Sequence, residues 1–536
     1  MATRGKRQPM EIRGLMLDPA RLTERHEFYF DLLADLAKWG INTLWWHFSD
    51  DEGFPLKLRS HPELATPYAL TRAETRRFIR AARDVGIDVV PEVESLGHAR
   101  YITRLPQYAH LANGDPMHHS SICPSHPQTP EVLGEIITEV AEIFGSPYFH
   151  AGLDEADLRG CRRCDRRGKG KPRWWVYAQH VKAIHGIVTA AGKRMIMWAD
   201  HVERDPAMLR VLPTDIIMAH WNYWAVPTEH IRRTLAAGFE VICAPAMCFH
   251  GHVLQPHTRN FENMDGMLTA AAALAPRGVL GLVNTWWAPW RGLRDAYLFA
   301  VAYTGEMLRR GKPADKVRFA RRFAKDYFAL DDAAAATAIW SIHEQTLTMQ
   351  DLPALLFDSP ADVHDALAMA GSPGFGERTE TVNRCIAALA VGRKKVRRHR
   401  DAYDAVVLAA RVAGASLGGA GKLLDAHAAY GRAENACDRS GPAAEVAAHL
   451  DQAGEVLAAI LGEVESITAA VDREWDRTRH PSDAKKAAKG GAATARSFDV
   501  LLNRMVRHRD YLRALCKGLR KGTAAYRRTG RLPTGV

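Results

Sequence analysis

Short apolar runs alternate with amphipathic stretches from Ile12 to about Leu308. The runs Ile12–Leu17, Asn42–Phe48, Asp88–Val93, Tyr148–Gly152, Arg194–Trp198, Ile216–His220, Glu240–Ala244 and Val279–Thr285 have strand length and predict eight β-strands. Between them apolar residues recur every three or four positions. That spacing predicts helices over Glu27–Lys38, Arg72–Val85, Pro130–Phe144, Trp175–Ala191 and Pro227–Ala237. Gly40, Gly86, Gly192 and Gly238 fall where a helix must end before the next strand, a position that favours a residue free to turn left-handed. Eight such units predict an α/β fold, a (β/α)8 TIM barrel over residues 10–310. The polar, basic Met1–Pro9 reads as a flexible tail over residues 1–9.

After about residue 310 the strand pattern stops and alanine-rich helical spacing takes over, which predicts an all-α helical domain over 311–536. Val446, Leu450, Ala453, Leu457, Ile460, Val464, Ile467, Val471 and Trp475 alternate by four and three, like a coiled-coil seam. Phe498, Leu502, Met505, Leu512, Leu515 and Leu519 suggest another helix. Gly371–Gly376, Gly418–Gly421 and Arg479–Gly491 read as linkers. Packing or formation of a homodimer is the role expected for this part.

Composition narrows the partners. Of the 536 residues, 47% are hydrophobic and 25% charged, an ordinary globular balance. The formal net charge is +11, but the basic residues are dispersed. The longest cluster, Arg393–Arg400, reads as a solvated helix face, so no nucleic-acid partner is expected. With no signal-like core after the basic start and no long apolar run, neither a membrane partner nor secretion is expected. The eight scattered cysteines fit reduced thiols and a cytoplasmic location. Cys161 and Cys164 have metal-knuckle spacing, but half a ligand set is not a site. Neither a metal nor another cofactor is expected.

In a (β/α)8 barrel the chemistry lies just past the carboxyl ends of the strands. Those positions carry Asp18 and Arg21; His47, Asp50 and Asp51; Glu92, Glu94 and His98; Asp154 and Glu155; Trp198 and Asp200; Trp221, Asn222 and Tyr223; Phe249 and His250; and Trp286, Trp287 and Trp290. Tryptophans among carboxylates and histidines suit a sugar, whose C–H faces stack on rings while its hydroxyls take polar partners. Glycoside hydrolysis by two opposed carboxylates needs acids from separate elements. Asp154 and Glu155 are adjacent, and adjacent side chains diverge. Cleavage assisted by the substrate's own 2-acetamido group suits them better: one carboxylate orients that group and the other protonates the leaving oxygen.

Four segments resemble the family 20 glycoside hydrolases, the β-N-acetylhexosaminidases. His150-Ala151-Gly152-Leu153-Asp154-Glu155 matches the family's His-x-Gly-x-Asp-Glu motif. Arg13–Arg21 is similar to its first-strand segment, Trp46–Phe54 to its second and Pro91–His98 to its third. The later strand ends look closer to the hexosaminidase-D-like branch. The resemblance implies Glu155 as general acid and base, prepared by burial, and Asp154 as the group holding the acetamido N–H. It implies Arg13 as a clamp on ring hydroxyls, His98 supporting the acids together with Glu94, and His150 as a buttress. Trp198 would wall the acetamido pocket, and Trp286 or Trp287 would floor the sugar subsite. Asp50 and Trp221 join them as substrate-binding candidates.

The implied activity is a retaining exo-β-N-acetylhexosaminidase acting on a carbohydrate with a terminal N-acetylhexosamine. Three departures qualify it. Glu94 stands where the family has Asp. The seventh-strand Tyr-x-Asp is replaced by Ala246-Met247-Cys248-Phe249-His250-Gly251-His252, which leaves Tyr223 to supply the hydroxyl. The eighth-strand Trp-x-Glu is absent from Thr285–Trp290, with Asp200 in partial compensation. Two alternatives therefore stay open: a sugar-binding barrel with a partner-binding helical domain, and a two-carboxylate glycosidase acting on non-acetylated sugars.

Overall fold

The computed structural model describes residues 10–114, 120–248, 254–348, 350–480 and 501–532. The expected tail at 1–9, the segment Phe249–His252, Phe498 and most of the linker 479–491 lie outside the described residues.

Eight parallel strands close on themselves: β1 (Ile12–Leu17), β2 (Thr43–His47), β3 (Asp88–Glu92), β4 (Tyr148–His150), β5 (Arg194–Trp198), β6 (Ile217–Trp221), β7 (Glu240–Ala244) and, after a short β8 (Ala246–Cys248), β9 (Val279–Trp286). Closure comes from β1 beside β9, with Leu17 opposite Trp286. β8 was not expected; it pairs alongside the carboxyl end of β9. Strand β6 runs one residue later than its apolar run suggested, so Trp221 belongs to it.

The strands are short, apolar and buried on both faces, as a helix-wrapped parallel barrel requires. Ile12, Met16, Trp45, Val90, Ile196, Trp198, Ile217, Ala219, Ile242, Ala244 and Val283 fill the interior as one buried cluster. Side chains alternate across a strand, so Ile12 and Met16 pointing inward put Arg13 on the outer face. This corrects its expected role. Its guanidinium donates to the carbonyls of Met10 and Gly40 at the amino-terminal end of the barrel, away from the rim.

Contacts divide the chain into two compact units. The barrel unit takes in the described residues before 249, Thr258–Pro289 and Phe299–Asp315. The helical unit takes in 254–257, Trp290–Leu298 and the described residues from Lys316 onward. Its long helices are Arg400–Asp438, Ala443–Thr478 and Leu501–Thr529. All nine residues of the apolar seam are buried. The glycines 418–421 are not a linker but lie inside the helix Arg400–Asp438, where Gly419 lets Ile460 of the neighbouring helix approach. The basic cluster is not a helix face either. It forms the turn between helices Phe375–Arg393 and Arg400–Asp438, where Arg393 pairs with Asp404, Lys395 with Asp332, and His399 stacks on Tyr327. One helix, Arg400–Asp438, is long and apolar enough to cross a membrane by length and composition, but 72% of that window is buried in the protein.

Candidate active site

The carboxyl ends of β1–β4 supply most of the charge. Their loops hold left-handed backbone at residues that rarely adopt it: His98 (φ 47°), Leu153 (φ 78°) and Glu155 (φ 46°). Such positions cost about 1 kcal/mol or more each and cluster at functional sites. Two glycines allow the loops to meet. A Cβ on Gly97 would collide with the Asp154 carbonyl, and one on Gly152 with the Glu94 carboxyl.

This backbone changes the expectation that Asp154 and Glu155 diverge. Both reach one imidazole: His98 Nε2 lies 3.2 Å from Glu155 Oε2 and 3.8 Å from Asp154 Oδ2. On its other side His98 Nδ1 lies 3.7 Å from Asp50 and 3.8 Å from Asp51. His98 thus contacts Asp50, Asp51 and the acidic pair, and its charge also acts on Glu94. Burial would drive His98 toward the neutral form. The charge of Asp50 and hydrogen bonds to Asp50 and Glu155 outweigh it and hold the imidazole pKa well above its ordinary value.

The two acids differ sharply. Asp154 is buried, and burial, with the charges of Asp200 and Glu155 adding, lifts its pKa to about 7 against the pull of His98. The Glu155 side chain is 56% exposed, so burial does not prepare it. Asp200 accepts a hydrogen bond from the Glu155 amide at 3.3 Å and pairs with Arg204, so it holds the Glu155 backbone rather than facing a ligand alone. His201 accepts from the next amide, Ala156, at 3.1 Å, and Tyr177 Oη donates to the Leu153 carbonyl.

Beneath lies an ordered charge network. His47 sits 2.9 Å from both Asp50 and Glu92, and these charges keep it protonated despite complete burial. Asp50 is buried too, yet Arg21, His98 and His47 hold its carboxyl well below the usual range. Glu92 accepts from Trp198 Nε1 at 2.8 Å. His150 is fully buried; burial drops its pKa to about 4, and neutral Nδ1 accepts from the Gly152 amide at 3.1 Å. Through that bond it supports the backbone leading into the acidic turn. Glu94 is buried with neither carboxyl oxygen hydrogen-bonded among the described residues. Burial and the charges of Asp154 and Glu92 raise its pKa well above normal, which favours the protonated form.

The arginine at the rim is Arg21, which sequence reasoning placed there without a role. It bonds Asp18 at 3.0 Å and Asp50 at 2.7 Å, and its guanidinium lies 5.1 Å from the centre of the Trp287 ring. The signal was available: Asp18 and Arg21 follow β1 directly, whereas Arg13 lies within it. Glu92 and His47 were named as rim residues and likewise given no role.

Trp287 is the central ring. It lies 4.9 Å from His47 and 5.9 Å from Trp198, and its Nε1 donates to Tyr223 Oη at 2.7 Å. Trp286, one residue earlier, falls on the opposite face of β9 and is buried there, so Trp287 alone fits the floor. Trp198 stands against His150 at 4.6 Å. Tyr223 packs on Trp221 at 5.2 Å. Burial raises the Tyr223 phenol pKa. Bonds with Trp287 and Thr285 only partly offset this, and the charges of Asp154 and Glu155 add to it.

This closed parallel barrel carries its acids after β4 and matches a known domain. Residues 11–273 match the model for the catalytic domain of glycosyl hydrolase family 20. The barrel belongs to glycoside hydrolase family 20. The family 20 segment is similar to a β-hexosaminidase of Vibrio furnissii, 31% identical over 291 residues, 48% of this chain and 46% of that one. It also resembles β-hexosaminidase 1 of Coccidioides posadasii, 29% identical over 262 residues, 44% and 43% of the two chains. The chain thus spans less than half the length of these curated relatives. A β-N-acetylhexosaminidase from Bacteroides fragilis shares the fold at 20% identity with a TM-score of 0.51, over 59% of this chain and 70% of its own.

Proposed function

We propose that this family 20 barrel is a retaining exo-β-N-acetylhexosaminidase working by substrate assistance. The convergence of Asp154 and Glu155 on His98 carries the reading. The sugar ring lies over Trp287, with hydroxyls toward Arg21 and its carboxylate partners. The substrate's acetamido oxygen attacks the anomeric carbon, forming a cyclic oxazolinium. Ionised Asp154 accepts the acetamido N–H and offsets the positive charge that develops. Tyr223 Oη donates to the acetamido oxygen and orients it. Glu155 gives its proton to the departing glycosidic oxygen. As a carboxylate it then takes a proton from the water that opens the oxazolinium on the same face, so configuration is retained. His98, charged and anchored by Asp50, holds Glu155, and its hydrogen bond strengthens as Glu155 becomes a carboxylate.

The test is turnover of nitrophenyl β-N-acetylglucosaminide and β-N-acetylgalactosaminide against the non-acetylated glucoside. Cleavage of an N-acetyl substrate and inhibition by N-acetylglucosamine-thiazoline are expected. Equal turnover of the plain glucoside, unaffected by thiazoline, would overturn substrate assistance.

A further inference from the structure

The sequence supplies only Cys161 and Cys164 with ligand spacing. The fold adds a third cysteine. Cys123, in the long segment between β3 and the helix Thr129–Ile143, places its Sγ 3.4 Å from Cys161 Sγ and 3.8 Å from Cys164 Sγ. The three sulfurs lie within 4.8 Å of one another, and all three residues are buried. These separations are too long for a disulfide, whose sulfurs lie about 2.05 Å apart. They suit a different bond. Sulfurs about 2.3 Å from one tetrahedral zinc ion stand about 3.8 Å from each other.

The surroundings favour a cation. Asn113 Oδ1, a neutral oxygen, lies 3.5 Å from Cys164 Sγ. Three thiolates around one divalent ion leave net negative charge, and the helix Arg162–Arg167 carries four arginines, one of which, Arg167, bonds the Pro124 carbonyl beside Cys123. The apolar packing here is small: the three cysteines and Val176 are buried, with Leu158 and Trp175 alongside. That is a thin core for two long loops with little regular structure.

We propose that Cys123, Cys161 and Cys164 bind one zinc ion, with Asn113 or a water as fourth ligand, and that the ion braces the two loops of the acidic centre. The first loop carries His98. It reaches Cys123 through the amide of Ala99 bonded to the Ser120 carbonyl and that of Ile122 bonded to the Leu96 carbonyl. The second carries Glu155 and arrives at Cys161 six residues later. Asn113 Nδ2 also donates to the Asp157 carbonyl, and Ser121 Oγ accepts from the Asp157 amide. The ion would keep His98 and Glu155 within hydrogen-bond reach. It touches no reacting atom. Binding releases the thiol protons, and the ion keeps its charge throughout.

The experiment uses the full chain, purified under reducing conditions, with metal content read by elemental analysis. About one zinc per chain is expected, falling at least fivefold in Cys164→Ser and in Cys161→Ser. Cobalt added to the stripped wild-type chain should give thiolate-to-metal charge-transfer absorption. Stripping should lower the melting temperature by several degrees, and zinc but not magnesium should restore it. Should either variant fail to fold, stripping and cobalt loading of the wild-type chain decide alone. A reduced wild-type chain that neither carries zinc nor takes up cobalt overturns the site. So does uptake that persists in folded Cys164→Ser, or a Cys123–Cys161 disulfide in the freshly purified chain.

Discussion

Asp154 shows how one buried carboxylate sets opposing demands. Its pKa rises from 3.8 to about 7 on folding, chiefly by burial. The folded chain therefore binds more protons than the unfolded one between those values, and stability falls as pH rises through that window. Asp154→Asn removes the titration. The variant should melt a few degrees above wild type at pH 8 and lose that advantage by pH 5, with calorimetry as the check. Under the proposed mechanism the same residue acts ionised, so wild-type kcat/KM should fall as pH drops below about 7. Glu155→Gln should lower kcat about a hundred- to ten-thousand-fold with circular dichroism unchanged. The two arginines make a paired test. Arg21→Ala should weaken turnover at least a hundredfold, because it strips the charge partner of Asp50 and Asp18 at the rim. Arg13→Ala, at the far end of the barrel, should leave kcat within about twofold. The Arg13–Arg21 motif was legible in the sequence, but which arginine reaches the rim carboxylates depended on where β1 ends. A period of two inside a strand and a loop after it give opposite answers for residues eight apart.

Among the elements, the strands were legible because a buried parallel strand is a bare apolar run, and Ile12–Leu17, Arg194–Trp198 and Glu240–Ala244 match to the residue. β8 was not, since three residues carry no periodicity. The helices were legible by seam and misread at their glycines. Gly418–Gly421 looked like a break, but helix packing tolerated them. Gly462, in the helix Ala443–Thr478, meets nothing within 4 Å of an added Cβ. Gly462→Ala should therefore stabilise the helical unit by about 0.5–1 kcal/mol, read by denaturant titration. Leu450→Ala, which empties a fully buried seam position, should cost about 2–5 kcal/mol in the same measurement. The cysteine triad escaped the sequence because Cys123 lies far from the pair in the chain, and only loop folding brings the three together.

For the molecule as a whole, the formal charge of +11 and the site point in opposite directions. The barrel rim gathers Asp18, Asp50, Asp51, Glu92, Asp154 and Asp200 around three embedded cations, Arg21, His47 and His98. These charges are spent on one another at short range. A neutral glycoside gains no long-range attraction from either pattern, and short buried pairs are little screened by salt. Turnover should therefore change by less than about twofold between 50 and 500 mM sodium chloride.

The left-handed backbone at Leu153 and Glu155 has a consequence for anyone selecting this protein for heat resistance. Leu153 is fully buried, so truncating it would cost more than the strain it removes. Glu155→Gly, at a side chain 56% exposed, would instead relieve the strain and free the turn to sample other shapes. Screens that score survival alone would be drawn to such relaxing changes and would accumulate hardened, slow barrels. Screens that score sugar release would have to find their gains in the long helices instead.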